Sequence, residues 1–358
     1  MKADDSFYRD KTVLITGGLG FIGSNLAIRL AGLGAQVTVV DSSVEGCGAN
    51  PYNVRPVCDQ VKVIPLGICQ AEAFSGEIAR ADVIFNLAGD MSHIHSMEHP
   101  ERDLQINTVA QLQFLKVCAR VARGIRVVYA STRQIYGKPK YVPVDEEHPV
   151  QPIDFNGIHK YAATMYHVLM SRSGKLDALA LRLTNVCGPR MALNIPCQGF
   201  LSTFLRNVLL GLPLDVLGDG NQLRDPVYID DVIKAFLLAG SIRSPRARIY
   251  NVGGPEALRI GDIAAIASRA AGRSDIRYRP FPEVKKEIEI GSYYTDGRKI
   301  ERDLGWKPAV RFETGMRMTL AYYREHLAHY LDPADPQPVC LMPEHSGVAR
   351  KLTFAEVS

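Results

Sequence analysis

Thr12-Val13-Leu14-Ile15-Thr16-Gly17-Gly18-Leu19-Gly20-Phe21-Ile22-Gly23 is the stretch that decides the fold. Thr12 to Thr16 is a short apolar, β-branched run and reads as a buried parallel strand. It ends in glycines spaced Gly17-x-x-Gly20-x-x-Gly23, and a helical pattern follows with Ile22, Leu26, Ile28, Leu30 and Leu33 apolar. Strand, glycine turn and helix N-terminus together make a phosphate site. Gly17 permits the tight turn, Gly20 admits a pyrophosphate close to the backbone, and Gly23 lets the helix pack close to the strand. Phe21 and Ile22 open that helix, whose unpaired N–H groups and partial positive charge face the anion. A second strand over 36–40 ends in Asp41, 18 residues after Gly23. A carboxylate there accepts hydrogen bonds from an adenosine ribose and repels a 2′-phosphate. The expected cofactor is therefore NAD rather than NADP.

Composition narrows the class. A chain of 358 residues can bury a substantial core, and 46% hydrophobic with 22% charged residues is ordinary for a globular protein. A net charge of +4 is small for this length and gives no case for nucleic acid or membrane binding. No apolar run reaches transmembrane length, and Met1 to Asp5 carries no signal-type hydrophobic segment. The seven cysteines are scattered, with no C-x-x-C pair, so reduced thiols in a cytoplasmic protein are expected.

Further along, 42–60 is turn-rich and reads as a loop, 61–66 as a third strand and 71–79 as a short helix. Residues 81–89 read as a fourth strand ending in Leu87-Ala88-Gly89, small enough for a dinucleotide's linker to lie against it. A long helix is expected over 103–122, a fifth strand over 127–131, a helix over 156–172 and a strand over 178–184. This alternation predicts an α/β fold, a Rossmann-type doubly wound parallel sheet with a smaller C-terminal substrate-binding portion. That portion should contain helices near 199–210, 230–239, 260–271 and 312–327.

The chain resembles the extended short-chain dehydrogenase/reductase family, the NAD-dependent nucleotide-sugar epimerases and dehydratases. The resemblance covers roughly residues 11–325. Besides the glycine turn it rests on Asn86-Leu87-Ala88-Gly89, Ser131-Thr132-Arg133-Gln134-Ile135-Tyr136-Gly137 and Leu181 to Arg190. It is supported by Gly218 to Asp225, Tyr228 to Val232, Asn251-Val252-Gly253-Gly254 and Leu304-Gly305-Trp306-Lys307-Pro308. The resemblance implies a tightly held NAD that takes a hydride from a sugar carbon and usually returns it. It implies a nucleotide-diphosphate sugar as substrate, with Asn185 and Arg224 at diphosphate-contacting positions. A guanidinium suits that task, because it grips a phosphate bidentately. It also implies a homodimer built by helices matching 103–122 and 156–172. The domain organisation expected is an NAD-binding domain over 1–190, with a later strand and helix contributed from about 225–255, a mainly nucleotide-sugar-binding portion over 191–330, and a tail over 331–358.

In the family a Ser or Thr ending the fifth strand works with Tyr-x-x-x-Lys on the next helix. Thr132 matches the hydroxyl residue and Lys160 the lysine, which lowers the tyrosine pKa and bonds the nicotinamide ribose. The tyrosine position, one helical turn before Lys160, holds Asn156. Asparagine has no titratable proton and cannot be the general base. Three explanations stand. Another base serves: His159, about 300° around the helix from Asn156; Tyr161, a poor substitute at about 140°; a water held by Thr132 and Asn156; or a desolvated Lys160. Alternatively Asn156 is a tuned polar contact in altered chemistry, or the protein binds nucleotide sugar without turnover. Tyr136 and Lys140 repeat the Y-x-x-x-K spacing, but in a Gly/Pro loop where that spacing shares no face.

Other departures matter. The family's 4,6-dehydratases carry Asp-Glu after the hydroxyl residue; Arg133-Gln134 stands here, which disfavours ordinary 4,6-dehydration. Arg133 is a candidate contact for an anionic sugar substituent or phosphate, against a structural salt bridge. Gly67 replaces the acid that touches the adenine, and Cys187 replaces a tyrosine before Gly188-Pro189-Arg190, where a buried bystander thiol is expected. His93, His95 and His99 lie in an expected loop that the resemblance places over the sugar and nicotinamide; Ser92, His93 or Ser96 are read as substrate contacts and His93 as a candidate acid/base. No metal is expected, since no Asp, Glu or Cys completes a set. Lys285-Lys286 and Tyr293-Tyr294 sit where the family closes over the nucleotide. Epimerisation through a 4-keto sugar is the expected reaction, with NAD-assisted decarboxylation or dehydration, or a catalytically silent binding protein, as alternatives.

Overall fold

Strands and helices alternate along the first half of the chain, and the strands assemble into one parallel sheet. The computed structural model describes residues 5–195, 199–272, 275–282, 286 and 288–331. The expected tail, apart from Leu331, and Lys285 lie outside these residues. The sheet strands are β1 (Thr12–Thr16), β2 (Gln36–Val40), β3 (Val61–Ile64), β4 (Val83–Asn86), β5 (Arg126–Thr132), β6 (Asp177–Leu183) and β7 (Ile249–Val252). Their spatial order is β7-β6-β5-β4-β1-β2-β3, every neighbour parallel. The chain winds outward from β1 to β3, returns to β4 and winds the other way, so the topological switch lies between β1 and β4.

Register puts chemistry at that switch. Thr16 is level with Val40 on one side and Asn86 on the other. The glycine turn, Asp41 and Leu87-Ala88-Gly89 therefore leave the sheet side by side at its carboxyl edge. Helices cover both faces: Phe21–Gly32 and Ile229–Ser241 pack on one, Ala110–Val121 on the other. Val13, Leu14, Ile15, Ile84 and Phe85 are fully buried between them. Each such side chain stabilises by about 1.5–3 kcal/mol relative to exposure, which holds the strand ends in place.

Several segments differ from the sequence reading. The expected helix over 103–122 is broken into Pro100–Leu104, a π-helical turn Gln105–Val109 and Ala110–Val121. The π turn presents Asn107 to the loop after β4, where it accepts from the Asp90 N–H at 3.1 Å and donates to the Asp90 carbonyl at 3.1 Å. Such turns interrupt helices mostly where a side chain has a task, and no periodicity reveals them. The expected loop around the histidines is instead a short helix, His93–Glu98, capped by the Ser92 hydroxyl, which accepts from His95 N–H at 3.2 Å. Within 42–60, Pro51–Val57 forms a 3₁₀ turn.

The residues that follow the helix Phe312–His326 reach back to the glycine turn. Tyr330 donates to Asn53 Oδ1 at 2.6 Å, and Asn53 Nδ2 donates to the Leu19 carbonyl at 2.9 Å. His329 stacks on Tyr52 with ring centroids 3.6 Å apart. Arg190 donates to the Asn53 carbonyl at 3.1 Å and to Asn25 Oδ1 at 2.9 Å. The cofactor turn is thus supported from the C-terminal side of the molecule.

Candidate active site

One cavity of about 2010 Å³ runs along the carboxyl edge of the sheet and into the C-terminal portion. That is about twice the upper end of a single small-molecule pocket, room for two ligands end to end. Its wall contains Gly17, Gly20, Phe21, Ile22, Gly23, Asp41, Leu87, Ala88, Gly89, His93, Thr132, Arg133, Asn156, Lys160, Asn185 and Arg224. Of the residues read from the sequence as site residues, Ser92 and Ser96 are exceptions, both buried and absent from the wall. Ser92 is 7% exposed and its hydroxyl caps a helix.

At one end the glycines divide their labour. Gly17 has φ +66°, and a Cβ on it would lie 2.8 Å from the Leu87 carbonyl oxygen. On Gly23 a Cβ would lie 2.2 Å from the Gly17 carbonyl oxygen, so its close packing is against the turn itself rather than the strand. Gly20 differs: a Cβ there would meet only the Gly17 oxygen, at 3.3 Å, so the space beside it opens to the cavity. Asp41 Oδ2 accepts from the Leu19 N–H at 3.0 Å and Oδ1 from the Ser43 N–H at 2.9 Å. Burial raises its carboxyl pKa, against the lowering by those two N–H groups. The cradle fits a dinucleotide: an open backbone at a helix N-terminus for the pyrophosphate and a fixed carboxylate for the ribose.

Lys160 projects from the helix Phe155–Arg172 beneath Gly89; a Cβ on Gly89 would lie 2.4 Å from Lys160 Nζ. Burial drives the ammonium down to about 8, against the opposing pull of Asp103, Asp90 and Cys47. Asn156 is 1% exposed, and its Nδ2 donates to Asp103 Oδ2 at 2.9 Å and to the Asp90 carbonyl at 3.0 Å. It is a tethered residue in the cavity wall. Asp103 Oδ1 also faces His159 Nδ1 at 2.7 Å. That contact corrects the expectation for His159, which turns to Asp103 and is absent from the wall. Tyr161 packs with Ile135, Tyr136, Val144 and Tyr293, also away from the wall. Tyr136 is buried and donates to Asn251 Oδ1 at 2.7 Å, so the second Y-x-x-x-K spacing has no place in the site.

His93 is the imidazole that reaches the cavity. Its Nδ1 lies 3.2 Å from Asp154 Oδ2. Asp154 is 3% exposed, caps the helix Phe155–Arg172 by accepting from the Gly157 N–H at 2.6 Å, and also receives Gln134 Nε2 at 3.4 Å. Burial pushes the Asp154 carboxyl up, but His93, the Gly157 N–H and Arg133 together outweigh it and hold it below the ordinary range. Thr132 accepts from the Gln134 N–H at 3.2 Å, which leaves its hydroxyl proton free to donate. Lys160 thus shares the cavity wall with a histidine, a hydroxyl and an amide.

At the far end Arg133 Nη2 donates to Asn185 Oδ1 at 3.3 Å, and the guanidinium lies 5.0 Å from the centre of the Tyr293 ring. Arg224 is held by Glu289 at 3.1 Å and by the carbonyls of Leu223 and Gly291. Cys187 is buried, absent from the wall, and directs its thiol at the Val227 carbonyl, 3.7 Å away; burial pushes the thiol up to about 12. His95, Glu98 and His99 offer ligand atoms within 4.8 Å of one another, so Glu98 is the acidic neighbour that the sequence reading lacked. None of the three belongs to the cavity wall.

Asp90, Asp103, Asn107 and Asp154 escaped the sequence reading. Asp154 had a signal: an Asp directly before a helical run is an N-cap. Asp103 had none, since 53 residues separate it from Asn156.

A doubly wound sheet with a glycine cradle at its switch point and a second chamber beyond it defines a nucleotide-dependent Rossmann protein. The chain belongs to the NAD dependent epimerase/dehydratase family, whose model matches residues 13–253. It is 32% identical over 334 residues to UDP-glucuronic acid decarboxylase 1 of Danio rerio, covering 89% of this chain and 74% of that one. It superposes on the UDP-glucose 4-epimerase of Thermotoga maritima, crystallised with UDP-glucose, with TM-score 0.80 and 28% identity, covering 88% and 99% of the two chains. The Thermus thermophilus UDP-glucose 4-epimerase complex with NAD gives TM-score 0.77 at 28% identity, covering 87% and 98%. NAD is the cofactor of this family, and the cradle fits it. Among the described residues no helix is long and apolar enough to cross a membrane.

Proposed function

We propose that the protein epimerises a nucleotide-diphosphate sugar through a 4-keto intermediate, with His93 in the proton-transfer role that Asn156 cannot fill. One observation carries this reading: an imidazole whose Nδ1 lies 3.2 Å from a buried carboxylate, in the same cavity wall as a lysine lowered to about 8. Nδ1 faces Asp154 at 3.2 Å, which leaves His93 Nε2 as the ring atom to exchange a proton with the substrate. Bound NAD supplies the hydride acceptor at the sugar carbon and the donor for its return. His93 Nε2 would take the C4 hydroxyl proton as hydride leaves the carbon and, once the keto sugar has turned and hydride returns to its other face, would give that proton back to the oxygen. Thr132 orients the hydroxyl, Lys160 holds the cofactor ribose, and Asn156, tethered to Asp103, shapes the wall. Asn185 and Arg224 receive the diphosphate, and the portion over 191–330 holds most of the nucleotide.

His93→Phe should lower kcat by about 10²–10⁴ while NAD binding persists; unchanged kcat would refute the role. Asn156→Tyr should impair turnover, because a phenol cannot replace both donations to Asp90 and Asp103. Gain of turnover in that variant instead marks Asn156 as a lost catalytic position. The second reading, oxidation at C4 followed by loss of CO2, draws on the 32% identity to a UDP-glucuronic acid decarboxylase. Product mass separates the two: unchanged for an isomer, lighter by CO2 for a decarboxylase, and no product for a binding protein.

We also infer a homodimer. Phe155, Ile158, Ala162, Met165 and Leu169 form one stripe along the helix Phe155–Arg172, with Ile158 47% and Leu169 62% exposed. An apolar stripe of that width asks for a covering helix.

A further inference from the structure

The two arginines at the substrate end of the cavity are in different electrostatic states. Arg224 faces Glu289 at 3.1 Å and donates to two backbone carbonyls, so its charge and donors are largely met within the protein. Arg133 is 8% exposed, yet among the described residues no carboxylate stands within ion-pair distance of it. Of its five donors, one makes a hydrogen bond, to Asn185 at 3.3 Å, and Nη1 is buried without a partner. The Tyr293 ring beneath it, 5.0 Å away, supports the cation without neutralising it. A buried guanidinium without a paired anion is costly: burial together with Arg224 outweighs the support of Tyr293, Asp225 and Glu289 and lowers its pKa to about 10. Such a group is stabilised when a ligand brings the missing negative charge.

Its place says which part of the ligand. Arg133 directly follows Thr132 and lines the same cavity as Lys160 and His93, where the reacting sugar must lie. The reading given above assigns the diphosphate to Arg224 and to Asn185, the residue to which Arg133 donates its one hydrogen bond. Resting on the reading of the site given above, we propose that the substrate's sugar carries a carboxylate and that Arg133 is the residue that selects it. A carboxylate matches the planar fork with two parallel hydrogen bonds; the hydroxymethyl group of a neutral hexose offers neither the charge nor the second acceptor. The substrate class is therefore a nucleotide-diphosphate uronate.

The test is calorimetric titration of the NAD-loaded protein with UDP, UDP-glucose and UDP-glucuronate. Wild type should bind UDP-glucuronate about tenfold or more tighter than UDP-glucose. Arg133→Gln should erase that preference and leave UDP and UDP-glucose within about threefold of wild type. Thermal melting with NAD checks that the variant is folded, and Arg133→Lys, which keeps the charge without the fork, should retain part of the preference. Equal losses for all three ligands would reassign Arg133 to the diphosphate and overturn the proposal. Equal wild-type affinity for the two sugars overturns it as well, while turnover of either sugar keeps the proposed function standing. If none of the three compounds binds, this inference is overturned, while the proposed function is decided separately by product formation from nucleotide sugars of other bases.

Discussion

Gly20→Ala separates cofactor binding from folding. Gly20 has φ −74° and ψ 179°, backbone that any residue adopts, and an added methyl meets only the Gly17 oxygen at 3.3 Å. Alanine there restricts the unfolded chain, which stabilises by about 0.4–1 kcal/mol, and weakens the helix cap by a few tenths. The net change in the unliganded protein should stay within about 0.5 kcal/mol. The methyl instead occupies the space a pyrophosphate needs. NAD at about 100 times its Kd stabilises the wild type by about 2.7 kcal/mol; a hundredfold weaker Kd leaves about 0.4 kcal/mol at the same concentration. Gly23→Ala is the contrast. Its methyl would stand 2.2 Å from the Gly17 oxygen and 2.7 Å from Gly18 Cα, an overpacking cost of about 1–3 kcal/mol or more before any ligand is added. Thermal melting of nucleotide-stripped protein, with and without NAD, reads both terms. The reasoning fails if Gly20→Ala keeps the full NAD shift, or if it lowers unliganded stability as much as Gly23→Ala.

Lys160→Met should abolish turnover and yet stabilise the fold at pH 7. Holding a buried ammonium at about 8 instead of 10.5 costs on the order of 3 kcal/mol while it is charged. Because the folded pKa is the lower one, the penalty is full below about pH 8 and fades as pH rises towards 10.5. Urea unfolding should therefore separate variant from wild type at pH 7 and bring them together near pH 10; a constant gap would disprove it. Ile158→Asp with Leu169→Asp should yield a folded monomer by light scattering, since both side chains lie on the apolar stripe; an unchanged molecular mass would place the dimer contact elsewhere.

The fold was readable because its determinants are local. A β-branched run, three glycines at fixed spacing and an acid ending the next strand each act within a few residues of themselves. The same grammar picked out Phe21, Ile22 and Leu87, which line the cavity. The reacting end was readable only in part. Lys160 and Thr132 keep their positions, but the group beside them is set by contacts across the sequence: His93 to Asp154, Asn156 to Asp103, Asn107 to Asp90. A spacing rule on one helix favoured His159, and the turn of that helix instead faces it to Asp103. The π turn at Gln105–Val109 was invisible for the same reason, because it answers to a loop rather than to its own periodicity.

The support that the residues after the last helix give to the glycine turn has a consequence in time. Asn53, which holds the Leu19 carbonyl, is itself held by Tyr330, 277 residues later. At about 5–20 residues per second, a ribosome takes roughly 15–55 s to cover that distance. Throughout that interval the nascent Rossmann half carries a cradle whose outer brace has not been made. A cradle with this brace therefore exists only after Tyr330 has been made, however early its own glycines emerge.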